Sequence, residues 1–309
     1  MSLTGFDVIG DVHGRADLLL QLLQALGYKM RQGAYQHADN RQAVFIGDMI
    51  DGGNQQRQTL RIIRDMVNAG SALAILGNHE FNAISFATLD PADPSRYLRV
   101  HNVKNCRHHR AFLDEFPPHG KAYQDAIDWL SGLPLYLEKQ GVAFIHACWR
   151  PDLITGLQPY LSLDNSMTPE LLLSANRPDS VHYETMALLL KGPELTLPAG
   201  YHFNDKHGVK RNDIRLKWWA RQGSSYRDLA AVPYSQIMKI PDIPLQQKVV
   251  LHQTRQRVFI GHYSMHQTNL SLDNRHVACV DFSGNKQLAA YRWSGEESLT
   301  SDNLLVMAP

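Results

Sequence analysis

Five short runs of apolar, β-prone residues each end in a side chain that can bind a metal or move a proton. Phe6 to Ile9 leads into Asp11-Val12-His13, Ala43 to Ile46 into Gly47-Asp48-Met49-Ile50-Asp51, and Ala72 to Leu76 into Gly77-Asn78-His79-Glu80. The same punctuation follows Phe144-Ile145, at His146, and Val258-Phe259-Ile260-Gly261, at His262. Buried strands that deliver polar groups at their carboxyl ends place those groups along one edge of a sheet, which is where open α/β sheets build their sites. This constrains the chain more tightly than any compositional feature.

The segments between the runs supply the helices of an α/β fold. Leucines at 18, 19, 22, 23 and 26 follow helical spacing over Ala16 to Leu26, and Gly27 closes the run. Leu60, Ile63 and Val67 share a face over Gln55 to Ala69, with Gly70 as the stop. Strand and helix alternate, which favours largely parallel strands with their loops at one edge. Residues 80–118 are less regular and are expected to lie as helices and loops over that edge, the basic run Lys104 to Arg110 forming a solvated face. Leu135 to Glu138 and Val142 to Ile145 read as a hairpin. His276 to Phe282 and Leu288 to Trp293 read as an antiparallel pair turning at Ser283-Gly284-Asn285. Between them, prolines at 151, 159, 169, 178, 193 and 198 break the pattern. The expected organisation is one domain over 1–309 with a cap-like insertion at about 151–257, in which Trp218-Trp219 serves as core.

Composition excludes several classes. With an apolar fraction of 44% over 309 residues a sizeable core is available, and a formal net charge of +1 gives no footprint for stable nucleic-acid binding. Three cysteines with no CxxC pair suggest a reducing compartment. Phe6 to Gly10 is too short for a leader and Asp7 interrupts it; no apolar run has membrane-spanning length. A cytoplasmic protein that does not engage a membrane is expected.

Asp11 and His13 are two apart past a strand, so both side chains can reach one ion. Asp48 has two oxygens and can bridge two ions, Asn78 offers a neutral oxygen, and His146 and His262 offer ring nitrogens. Asp11, His13 and Asp48 suit one divalent ion; Asp48, Asn78, His146 and His262 suit a second. Two ions so held would clamp a phosphoryl group and acidify a bridging water. Mixed oxygen and nitrogen ligands suit manganese first, with iron, zinc or cobalt as alternatives. His79 points away from its neighbour Asn78 and is the natural general acid, with Asp51 as partner to its other ring nitrogen. Glu80 is read as a helix cap. The histidines at 101, 108, 109, 119, 202, 207, 252, 266 and 276 are read as packing or surface residues.

The set Asp11-x-His13, Gly47-Asp48-x-x-Asp51, Gly77-Asn78-His79-Glu80, His146-Ala147 and Gly261-His262 resembles the calcineurin-like metallophosphoesterases, and most closely the bacterial phosphoprotein-phosphatase branch, which includes diadenosine tetraphosphate hydrolases. The resemblance runs from Phe6 to about Trp293 and is weaker over 147–257. It implies a four-layer sandwich of mixed β-sheets flanked by helices, with the same metal ligands, His79 as proton donor and Asp51 as its partner. Two positions depart from the pattern. Gly52 stands where the family carries a phosphate-gripping arginine, and Cys148 where glycine is usual. Arg150 is the first candidate to replace that grip, ahead of Arg15, Arg57 and Arg107. The expected activity is metal-dependent hydrolysis of phosphomonoesters, including phosphoserine or phosphothreonine, by a hydroxide bridging two metals. Hydrolysis of a dinucleoside tetraphosphate or another nucleotide diester is the alternative, and a non-catalytic scaffold a third. The expected partner is thus a phosphorylated small molecule, a nucleotide or a phosphoprotein.

Overall fold

The computed structural model describes residues 3–204, 208–220, 223–246, 254–265 and 274–309. Strand β1 (Phe6–Ile9) lies at the centre of the first sheet and is buried on both faces. It runs parallel to β2 (Gln42–Phe45), which runs parallel to β3 (Ala72–Ala74). The second sheet holds β4 (Tyr136–Lys139), β5 (Val142–Ile145), β6 (Arg257–Ile260) and β7 (Val277–Cys279), in the spatial order β7-β6-β5-β4. Only the β4–β5 hairpin is antiparallel there. The chain then returns to the first sheet, where β8 (Leu288–Trp293) pairs antiparallel with β1 and with β9 (Leu304–Met307), giving the order β9-β8-β1-β2-β3.

The two-residue period of a strand assigns its faces. Phe6, Val8, Val44, Ile46, Val142, Phe144, Phe259, Ala278 and Tyr291 form one apolar layer between the sheets. Ile9, Ala43, Phe45, Ala143, Ile145, Val258 and Ile260 face outward, into a second cluster built with the helices. These are α1 (Ala16–Ala25), α2 (Gln56–Asn68), α3 (Asn78–Ala87), α4 (Val103–His108), α5 (Arg110–Glu115), α6 (Lys121–Ser131), α7 (Pro151–Leu157), α8 (Pro169–Ala175) and α9 (Val181–Lys191). Helices therefore cover the outward faces of a mixed two-sheet α/β sandwich. Asp7, which interrupts the apolar run of β1, is fully buried and accepts hydrogen bonds from Arg41 and Arg292.

The expected pairing of 276–282 with 288–293 does not occur. β7 joins the second sheet and β8 the first, and the turn at Ser283–Asn285 carries the chain between them. Both runs are buried on both faces, so alternation could not reveal their sheets. The stretch read as lacking a periodic core has a small one: Leu195, Phe203, Ile214, Leu216, Tyr226, Leu229 and Ile240 cluster apart from the rest. Trp218 and Trp219 belong instead to the main cluster, each 2% exposed. The Trp218 indole donates to the Ala147 carbonyl at 2.9 Å, so this pair seats the insertion against the sandwich. His207, His252 and His266 lie outside the described residues.

Candidate metal centre

The strand ends turn sharply. His13 (φ 48°), Asp48 (φ 50°), Asp51 (φ 64°) and His262 (φ 65°) all have left-handed backbones. Such conformations cost roughly 1–3 kcal/mol each and persist only where surrounding structure enforces them. Here the turns brace one another: His13 N–H donates to Asp48 O at 3.0 Å, Gly14 N–H to Met49 O at 2.8 Å and Gly53 N–H to His13 O at 2.8 Å. Glu80 completes the frame. Its fully buried carboxylate accepts backbone N–H groups from Asp48 (2.8 Å), Met49 (2.8 Å), Ile50 (3.2 Å) and Gly77 (2.9 Å). The residue thus caps α3 and fixes the second turn as well.

These turns bring candidate ligands together around Asp48. One set is His13, Asp48 and His79, the other Asp48, His146 and His262, the ligand atoms within each set lying within 4.8 Å of one another. Asp48 Oδ1 is 3.4 Å from His146 Nε2, and Asn78 Oδ1 is 3.2 Å from the same nitrogen. Asp11 falls outside both sets, and its carboxylate accepts the backbone N–H of His262 at 3.2 Å.

The ring hydrogen bonds test whether these groups fit a divalent cation. His13 Nδ1 lies 3.0 Å from Ile50 O and His146 Nδ1 lies 2.7 Å from Ile46 O. A carbonyl oxygen only accepts, so both Nδ1 atoms carry hydrogen and both Nε2 atoms are left for a ligand role. His262 Nε2 is buried with no hydrogen-bond partner among the described residues. Burial, with Arg215 and His146 nearby, holds that imidazole well below its usual pKa, and so neutral. Imidazole nitrogens, a shared carboxylate and a carboxamide form a donor set that accommodates divalent transition metals.

His79 differs from these rings. Its Nδ1 donates to Asp51 Oδ2 at 2.7 Å, while its Nε2 lies 3.9 Å from Asp48 Oδ2. Burial opposes its charge, but Asp48 and Asp51 outweigh that and raise its pKa to about 9. Burial likewise opposes ionisation of Asp51, yet hydrogen bonds from two histidines hold it at about 2. The second histidine is His109, whose Nδ1 meets Asp51 Oδ1 at 2.9 Å and which is 4% exposed. Sequence reading placed His109 among packing or surface residues. The available signal was its register, for His109, Phe112, Leu113 and Phe116 share helical spacing and hence one inward face.

The cations are distributed differently from expectation. Arg150, the first candidate for the phosphate grip, is held by Asp152 through Nε (2.9 Å) and through a second nitrogen (2.6 Å). Arg57 donates to Glu115 O and lies over the Phe116 ring. Arg107 is exposed on α4, and Arg15 is near Asp281 and Asp11. Cations that were not among the candidates for this grip approach the site instead. Arg99 is close enough to Asp51 to feel its charge, and Arg215 acts in the same way on His262. Lys191 ends α9, whose Leu189 carbonyl accepts N–H groups from Ala147 and Cys148 just past His146. Burial and the charges of Arg99, Arg215 and Lys104 depress its pKa. Cys148 is buried, with its thiol pushed up to about 12 by burial.

Similarity to known proteins bears on the family to which the chain belongs. A bis(5'-nucleosyl)-tetraphosphatase PrpE, asymmetrical, from Halalkalibacterium halodurans is 42% identical over 74 residues, covering 24% of this chain and 30% of that protein. Its counterpart from Oceanobacillus iheyensis is 44% identical over 73 residues, covering 24% and 29%. The matches thus span less than a third of these relatives. A cold-active protein tyrosine phosphatase structure aligns over 96% of this chain and 78% of its own, with 17% identity and a TM-score of 0.49. A family profile described as calcineurin-like phosphoesterase matches residues 5–230, most of the chain and four of the five polar strand ends, and on that match the chain belongs to the calcineurin-like phosphoesterase family.

Proposed function

We propose that this protein is a metal-dependent hydrolase of phosphate monoesters, phosphoserine and phosphothreonine among them. The observation that carries the reading is the position of Asp48, with His13 and His79 on one side and His146 and His262 on the other, and with Asp51 bonded to His79. Asp11, His13 and Asp48 would hold one divalent ion, and Asp48, Asn78, His146 and His262 the other, manganese being the first choice. When bound, such a pair supplies Lewis acidity to the phosphoryl group and to water. The chain's own part follows from the hydrogen bonds. Asp51 orients His79, and His79, protonated at neutral pH, gives its Nε2 proton to the leaving oxygen. With glycine at 52 and Arg150 engaged by Asp152, the anion contact falls first to Arg99, Lys191 and Arg215. Arg150 would have to exchange Asp152 for substrate. The cap-like insertion at about 151–257 then supplies two of these three cations, and the cytoplasm is the compartment in which its three free thiols stay reduced.

A second reading, hydrolysis of a dinucleoside tetraphosphate, is favoured by the activity for which the PrpE relatives are named and by the grouping of several cations, which suits a chain of phosphates. Assays of a phosphopeptide, diadenosine tetraphosphate and an aryl phosphodiester side by side, with manganese added, separate the readings. Fastest turnover of the phosphopeptide is the expected result, and turnover of none of the three overturns both. In the same assay His79→Ala is expected to lower kcat roughly 100-fold or more while bound manganese stays constant. Equal losses of kcat and metal would remove His79 from the proton-donor role.

A further inference from the structure

Asp51 is gripped from two sides, and the second grip serves a purpose that packing does not explain. A carboxylate bonded through a single oxygen can swing about Cβ–Cγ, because that torsion has a broad, roughly two-fold profile. Here Oδ2 takes the Nδ1–H of His79 at 2.7 Å, and Oδ1 takes the Nδ1–H of His109 at 2.9 Å. The Asp51 backbone N–H is fixed as well, donating to Gln56 Oε1 at 2.9 Å. His109 is itself immobilised. It sits at the junction of α4 and α5, its N–H on Asn105 O and its carbonyl accepting from Leu113. Its ring stacks on Phe112, with centroids 4.8 Å apart, and packs against Phe86 at 5.3 Å. Phe86 in turn stacks on His101, and His101 on Tyr97. An aromatic train from the loops over the sheet edge thus ends in one N–H aimed at the carboxylate that orients His79.

We infer that His109 is a positioning residue for the hydrolytic reaction: its Nδ1–H locks the Asp51 carboxylate so that the opposite oxygen holds His79 in line to protonate the leaving group. The inference rests on the proposed role of His79. It places part of the catalytic alignment in residues 97–112, a stretch that contributes no candidate metal ligand. Partners of this kind, one step removed from the reacting groups, typically contribute 10–100-fold in activity.

The test uses leaving-group dependence, because a lost or misaligned general acid harms poor leaving groups more than good ones. The manganese-loaded full chain is assayed with phenyl phosphate, a poor leaving group, and p-nitrophenyl phosphate, a good one. Melting temperature and metal content are measured for each variant. His109→Phe keeps the ring stack and removes the N–H; His109→Asn removes the stack and keeps an N–H near the position of Nδ1. The expected result is that His109→Phe lowers kcat for phenyl phosphate about 10-fold or more, has a much smaller effect on p-nitrophenyl phosphate and leaves KM and metal content unchanged, whereas His109→Asn retains most of the activity. Equal losses on both substrates, no loss in His109→Phe, or a loss as large in His109→Asn would overturn the inference. His79→Ala in the same series keeps the two ideas apart. If it shows the leaving-group dependence and His109→Phe does not, only the role of His109 falls; if His79→Ala shows none, the proton-donor reading falls and takes this one with it.

Discussion

The charges on individual residues at this site have measurable consequences away from catalysis. Asp48 and Asp51 raise the His79 pKa from its usual 6.5 to about 9 against the effect of burial. A histidine whose folded pKa is raised contributes stability that is complete below its unfolded pKa and is lost as pH climbs through the folded value. The metal-free protein should therefore lose melting temperature between about pH 6.5 and pH 9, and His79→Ala should flatten that slope. Scanning calorimetry in a chelator across this range checks it; an equal slope in the variant would show that the pair does not stabilise the metal-free fold. The thiols make a second case. Cys148 is 2% exposed with its thiol pushed up to about 12, and Cys279 is 5% exposed with its thiol raised by burial, whereas Cys106 is only half-buried. Alkylation of the native protein near pH 8 should label Cys106 first, and the other two only on unfolding, as peptide mapping would resolve. Cys148 is thereby suited to the small buried role rather than to redox sensing.

At the scale of elements, the turns depend on Glu80 more than on their own sequences. Its carboxylate serves four backbone donors from two turns, and each would be left buried without a partner if it were removed. Glu80→Ala is expected to cost about 3 kcal/mol or more in urea unfolding and to lower metal affinity, since Asp48 sits in the released turn. A cost near zero would mean that the backbone turns hold without it. What the sequence disclosed about these elements follows the same physics. Leucines from 18 to 26 and the Leu60, Ile63, Val67 face announced α1 and α2, because one side of each helix meets the sheet and the other meets water. The strands feeding the site were visible as short apolar runs stopped by Asp, Asn or His. Their division between two sheets was not, since β7 and β8 are buried on both faces and carry no mark of which sheet they join. His109 was hidden for another reason: its partner Asp51 is 58 residues away, and nothing local distinguishes an inward histidine that packs from one that bonds a carboxylate.

On the scale of the whole molecule, the insertion is tied to the sandwich at one place in particular. The Ala147 carbonyl takes the Trp218 indole N–H, and the Ala147 and Cys148 N–H groups reach back to Leu189. Both ties flank His146, so Lys191 and Arg215 are carried on backbone anchored beside a candidate ligand. Sequence reading could not see this, because the anchoring contacts span 41 to 71 residues through a proline-broken region. It could identify the missing arginine, and the structure shows what a side chain at that position would meet. Gly52 has φ +80°, and a Cβ there would come within 3.2 Å of His13 Cβ; a Cβ on Gly53 would come within 2.5 Å of Gly14 O. Gly52→Arg should therefore lose about 1–2 kcal/mol of stability to backbone strain and leave KM for a phosphomonoester no lower, which melting curves and steady-state kinetics can check. A lower KM would mean that the turn readily reshapes. Put as a design rule, an arginine placed at 52 without reshaping the turn carries its own penalty. The paired glycines let the second turn settle against the first, so a side chain at 53, and to a lesser degree at 52, presses one turn off the other.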